Sequence, residues 1–186
     1  LVGSGLFGTL PADTDAAIIS EIRRSCHRDD QEAANVAVAE ALMKWRDKTG
    51  ARGVSVSPEP FRATTGSIKF CADVAVIIND ELFVINLDVR STMNLSVGGK
   101  EMMKSLIHHT ALIGDLKEAN VAILRTPKIS SGVRDCKLEV LEGEPMHSLD
   151  DVEAAVLETY SIWELILMAR RSDASEATGE DNGGLI

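Results

Sequence analysis

Ile68-Lys-Phe-Cys-Ala-Asp-Val-Ala-Val-Ile-Ile-Asn-Asp-Glu-Leu-Phe-Val-Ile-Asn-Leu-Asp-Val-Arg90 reads as two apolar strands joined by a polar turn at Asn79-Asp80-Glu81. Asp73 lies in the first strand, and Asn86, Asp88 and Arg90 lie in the second. Side chains alternate along a strand, so Asn86, Asp88 and Arg90 share one face while Ile85, Leu87 and Val89 share the other. If the strands pair through the turn, Asp73 comes near the polar face. A carboxylate inside so apolar a run costs several kcal/mol to desolvate unless something answers its charge. Two answers are open. Asp73 and Asp88 are hard oxygen ligands that suit Mg²⁺ or Mn²⁺, with a neighbouring cation to stabilise developing negative charge. Alternatively, a strand Asp pairs with Arg90 or Lys69 and does nothing more.

Outward from this hairpin the chain alternates between helical and extended patterns. Asp13-Thr14-Asp15 caps a helix running from about Ala16 toward Arg24. A second helix, about Asp30 to Lys48, carries the stripe Ala34, Val38, Ala41, Leu42 and Trp45 and stops at Gly50 and Gly53. Val54 to Phe61, bounded by prolines, reads as an edge strand. Ser91 to Gly99 is a polar loop leading into a helix from Lys100 to about Gly114. Asn120 to Arg125 and Lys137 to Leu141 are further strands, and Asp150 to Arg171 is a strongly apolar helix. The expected fold is α/β: a mixed central sheet flanked by helices, with an α-β-β-β-α-β core. Residues 1–171 form one domain in this reading, and the acidic stretch 172–186 is a disordered tail.

A length of 186 residues suits one domain with a substantial core. The net charge of −10 counts against a simple DNA-binding module, which would present a basic footprint, but leaves room for an enzyme with a local basic rim. Cys26, Cys71 and Cys136 have no CxxC spacing. Free thiols in a reducing compartment are expected, hence an intracellular, cytoplasmic location. No apolar run has the length of a membrane span, and the first residues lack a signal peptide's basic start.

The order helix, three strands, helix, strand, with Ala72-Asp73 followed by Asp88-Val89-Arg90, resembles the PD-(D/E)xK nuclease superfamily. The likeness covers about residues 20–125. Within that superfamily it is similar to the cap-snatching endonuclease domains of segmented negative-strand RNA virus polymerases. Leu82-Phe83-Val84-Ile85 precedes Asn86 as in their acid-bearing strand, and Lys100 and Lys104 open the following helix. The sequence departs from the pattern where Ala72 replaces the motif proline. The acid position falls on Asn86 or, in a second register, on Asp88 with Arg90 in place of lysine.

The resemblance implies a metal-dependent endonuclease acting on RNA or DNA phosphodiesters. Asp73 and Asp88 would hold Mg²⁺ or Mn²⁺, and Arg90 or Lys100 would stabilise the transition state. A third metal ligand would come from the first helices, as Glu32 or Glu40, with His27, Asp29 and Asp30 as further candidates. The alternative is a catalytically degenerate member of the fold that serves as a structural or protein-binding module. A nuclease should bring Asp73 and Asp88 together at a cleft lined by a Lys or Arg. A binding module should show an apolar patch instead, with the last helix the place to look.

Other motifs point less sharply. His108 and His109 are adjacent on a helix and cannot chelate one ion together. Gly98-Gly99-Lys100 before a helix can bind an anion through backbone N–H groups but lacks the full P-loop pattern. Arg125, Lys128, Arg134 and Lys137 form a modest basic cluster, read as a solvated loop or a substrate-backbone contact. The stripe Val156, Tyr160, Trp163, Ile166 and Leu167 reads as core or as an interface.

Overall fold

The structure, a computed structural model, describes residues 13–54, 61, 62, 69, 70, 72, 74–90 and 95–179. Helices α1 (Asp13–Ser25) and α2 (Asp29–Thr49) come first. Gly50, at φ 65°, closes α2 by donating its N–H to the Arg46 carbonyl, a left-handed cap that glycine adopts without strain. Strands β1 (Arg52–Val54), β2 (Phe61–Arg62), β3 (Lys69–Phe70), β4 (Val74–Ile78) and β5 (Glu81–Asp88) follow. Helix α3 (Val97–Thr110) crosses to β6 (Asn120–Arg125), followed by β7 (Lys128–Ser130), β8 (Val133–Arg134), β9 (Lys137–Val140) and α4 (Leu149–Gly179).

One mixed sheet runs in the order β1-β4-β5-β6-β9. All its neighbours are antiparallel except β5 and β6, which are parallel and joined through α3. The expected α/β class, a mixed sheet flanked by helices, is the class observed. Within the quoted hairpin Ile78 pairs with Glu81, so the turn is Asn79-Asp80 alone, both left-handed at φ 51° and 66°. Two such residues make the turn whose twist matches the flanking strands, and Asn and Asp are the non-glycine residues that tolerate it best. The strand expected from Ile68 is resolved as β3 and β4, with positions 71 and 73 outside the described residues. The proline-bounded strand expected over 54–61 is represented by β1 and Phe61, and 55–60 lie outside the described residues.

Period-two alternation gives the sheet two apolar faces. Val74, Val76, Ile78, Phe83, Ile85, Ala122 and Leu124 pack against Leu42, Met43 and Trp45 of α2, with Ile18, Ile19 and Ile22 of α1 alongside. Ala75, Val84 and Val121 pack on the opposite side against Ile107 of α3 and Ala111 just past its end. The hairpin and β6 are therefore buried on both faces, which explains their nearly continuous apolar sequence. Helix α4 is fastened at its start, where Val152, Val156 and Leu157 meet Leu106 and Met102 of α3.

Two features of α4 differ from the sequence-based expectation. The helix continues through Gly179, whereas disorder was expected from Ser172. Ala174, Glu176 and Ala177 favour helix and no Gly or Pro intervenes before Gly179, so local propensity outweighs the polar composition. In addition, every residue from Glu158 to Arg171 is exposed. No helix among the described residues is long and apolar enough to cross a membrane.

Candidate functional site

Two places on this scaffold are candidates, and they differ in chemistry. The first is the carboxyl end of β5. Asp88 is 7% exposed and accepts hydrogen bonds from Arg90 through Nε to Oδ1 at 2.7 Å and through Nη2 to Oδ2 at 2.9 Å. The Arg90 backbone N–H adds a third at 3.3 Å. Arg125, directly across on β6, approaches Asp88 Oδ2 to 4.0 Å. The Arg90 hydrogen bonds hold the Asp88 carboxyl below the usual carboxylate range, against burial, which pushes it the other way. The same contact raises Arg90. Arg134 Nη1 donates to the carbonyls of Val89 at 2.9 Å and Thr126 at 2.8 Å, so β8 is laced to the ends of β5 and β6.

Asp88 and Arg90 thus come together as a fork-on-carboxylate pair, the arrangement in which the strand charge is neutralised within the chain. Asp73 lies outside the described residues. The other expected site residues are engaged elsewhere. Lys100 pairs with Glu139 of β9. Lys104, buried, donates to the Glu142 carbonyl at 3.1 Å and pairs with Glu101 at 2.8 Å. Glu32 faces Arg23 of α1 at 3.6 Å, Asp30 pairs with Arg28 at 2.8 Å, and His27, Asp29 and Glu40 are exposed. His109 Nε2 donates to the His147 carbonyl at 2.9 Å, while His108 sits 3.9 Å from Glu144. Among the described residues no group of three or more His, Cys, Asp or Glu is placed to hold a metal ion. The cation expected at Asp73, Asp88 and Glu32 involves one residue outside that set.

An apolar groove of about 610 Å³ lies between α1, α2 and the end of β5, lined by Ile18, Ile22, Val38, Leu42, Leu87 and Val89. Sequence reasoning missed it, because three segments far apart in the chain build it and no local pattern marks it.

The second place is the distal part of α4. Over the body its outward face carries Asp151 and Glu158, as an amphipathic surface helix should. Beyond Glu158 the outward face turns apolar, with Ile162, Leu165 and Ala169 at i, i+3, i+7 spacing; Ile162 is 50% exposed and Leu165 67%. The body-facing stripe of Val152 and Val156 also continues past the end of its support, as Tyr160, Trp163 and Leu167. Tyr160 is 53% and Trp163 54% exposed. At 100° per residue the two stripes lie on roughly opposite sides. Their residues, Tyr160 to Ala169, reach solvent along about 14 Å of helix, given the 1.5 Å rise per residue.

The family model of the sliding clamp-binding bacterial toxin SocB matches residues 2–173, from before α1 into the distal part of α4. The chain belongs to this family. No curated protein matches the chain. Membership in the SocB family overturns the resemblance to the PD-(D/E)xK nucleases and to the cap-snatching endonucleases, and with it the reading of the chain as a divalent-metal-dependent endonuclease. The physical root of that misreading is at Asp88. Two acid–base positions on one strand face are the spacing of a nuclease site and equally that of a neutralised ion pair, and here the geometry is the ion pair. The expectation of RNA or DNA as substrate rested on the same resemblance. The family's description speaks of binding, in line with the alternative of a protein-binding module, and an apolar patch does lie on the last helix.

Proposed function

We propose that this chain acts by binding a protein partner, a bacterial sliding clamp, and that the outward face of distal α4 is the surface that docks. The observation that carries this reading is the change of character at Glu158, where a helix with a polar outer face becomes apolar on both sides while standing in water. Large aliphatic and aromatic side chains held there in helical register are preorganised to enter a hydrophobic groove, the mode in which a helix is read through i, i+3 and i+7 anchors. The family's description as sliding clamp-binding supports that choice of partner. Toxicity then follows from occupancy: a clamp whose docking site holds this helix is closed to other proteins that use the same site.

The test is a binding titration of the chain against a bacterial sliding clamp, for wild type and for the double variant Ile162→Glu/Leu165→Glu. Both positions are exposed and Glu is a good helix former, so circular dichroism should be unchanged. The wild type should form a complex and the variant should bind at least tenfold more weakly, as expected when central apolar anchors are lost. Absence of a wild-type complex, or equal binding by the variant, contradicts the reading.

A further inference from the structure

Between β6 and β9 the chain leaves the main sheet as a ribbon of its own, β7 paired with β8. Lys128 pairs with Arg134 and Ser130 with Val133, so one extra residue, Ile129, is bulged out of the ladder. Every residue from Lys128 to Val133 is exposed. A two-stranded ribbon in water is marginally stable on its own and needs ties to the body. Here they lie at its base. The Asp135 N–H donates to the Pro127 carbonyl at 3.2 Å, and the Arg134 bonds to Val89 and Thr126 hold β8 against the ends of β5 and β6. The ribbon thus presents Lys128 and the bulged Ile129 to solvent from a fixed base.

The charge around it is one-sided. Lys128 and Arg134 face each other across the ribbon, and Arg125 and Lys137 face each other across β6 and β9, where the ribbon leaves the sheet and returns to it. Arg90 and Arg125 meet at Asp88. Five cations therefore gather with two carboxylates, Asp88 and Asp135, in a chain whose net charge is −10. The side-chain bonds of Arg134 go to carbonyls, which leave its charge uncancelled. At physiological salt, exposed charges more than about 8 Å away are largely screened, so the local excess decides what this end of the sheet attracts. We propose that the β7–β8 ribbon is a second interaction surface, which holds the sugar–phosphate backbone of duplex DNA. A two-stranded ribbon is one of the two elements that the major groove admits, and Arg and Lys are its usual phosphate contacts. Ile129, aimed outward at the bulge, adds an apolar contact of the kind a thymine methyl accepts. An acidic protein also offers anions, but phosphates recur at every nucleotide. Cations contributed by β6, β7, β8 and β9 and the end of β5 then find partners without a matched shape. The contact is one of holding, with no cleavage attached, and it is independent of the helix proposed to meet the clamp.

Fluorescence anisotropy of a labelled duplex DNA, titrated with the whole chain in about 0.1 M salt, tests this. The wild type should bind, and its affinity should fall steeply as salt is raised, because each phosphate contact releases counterions. Lys128→Gln/Lys137→Gln removes two such contacts. It should bind at least about tenfold more weakly, with a log–log salt slope shallower by about two. Both positions are exposed, so its circular dichroism and melting temperature should match the wild type. Lys117→Gln, an exposed lysine beyond the opposite end of β6, should bind DNA as the wild type does. A chain that leaves the duplex unbound, an unchanged affinity in the double variant, or an equal loss in Lys117→Gln each overturns the proposal. Polyglutamate that displaces the duplex at equal charge concentration overturns it too, by giving the surface to an acidic protein. A clamp titration of the double variant keeps the two surfaces apart. Intact clamp binding with weakened DNA binding is expected, and loss of clamp binding alone overturns the proposal by giving the ribbon to the clamp. A wild type that binds DNA and ignores the clamp removes the functional reading and leaves this one.

Discussion

The end of β5 and the distal part of α4 are opposite cases of one imbalance. At Asp88 a charge sits among apolar side chains, and Arg90 and Arg125 answer it within a few ångströms. Beyond Glu158 apolar side chains stand in water, past the point where α3 supports the helix. The comparison teaches where to look for a partner. A compensated charge explains itself through stability, whereas an exposed apolar stretch leaves a hydrophobic contribution unrealised until something covers it.

The comparison breaks most visibly at the carboxylate. Asp88→Ala should destabilise the fold by about 2 kcal/mol, because it removes the buried carboxylate that accepts two side-chain hydrogen bonds from Arg90. Arg90 is half exposed and water takes over part of its solvation, which keeps the figure below that of a fully buried pair. For a domain of this size the melting temperature should fall by roughly 4–8 °C, while clamp binding by the folded protein stays intact. A variant as stable as wild type would mean that the pair neutralises nothing of consequence.

Acid sharpens the same contrast. Arg90 depresses Asp88 and Arg46 depresses Asp15, which it holds at 2.8 Å between α2 and α1. A carboxylate with a folded pKa below its unfolded value stabilises the fold above the unfolded value and loses that contribution as pH falls through the folded one. Stability should therefore be level above about pH 5 and decline once pH drops below the ordinary carboxylate value of 3.8. Denaturant midpoints measured from pH 7 down to 2 check this, and Asp88→Asn should remove part of the decline. The smallest effect belongs to the helix. Leu165→Glu should change stability by less than about 0.5 kcal/mol, because the side chain touches little of the folded body.

Much of the fold was legible in the sequence. The apolar runs through 74–78 and 82–87 marked the central hairpin, and the polar turn between them was plain from Asn79-Asp80. The apolar stripe through Leu42 and Trp45 marked the helix that covers one face. The candidate site was legible only in part. The stripe through Tyr160, Trp163 and Leu167 is plain in the periodicity, but periodicity cannot say whether a stripe is covered, since that depends on where α3 stops supporting α4. The partner of Asp88 was equally hidden: residues two apart on a strand share a face, and a metal site and a salt bridge obey the same spacing. Asp73, the residue on which the nuclease expectation turned, lies outside the described residues. The outer stripe of Ile162, Leu165 and Ala169 was overlooked because an apolar run reads as core by default, and only the burial pattern separates it from one.

Hydrogen–deuterium exchange with and without a bacterial sliding clamp tests the central claim most directly. Amides of a helix with few buried contacts exchange through cheap local opening, so residues 158–171 should exchange quickly in the free chain. Clamp binding should slow exchange across that segment and leave residues 83–88 of β5 unchanged. Protection confined to other parts of the chain, with 158–171 exchanging as before, would contradict the account.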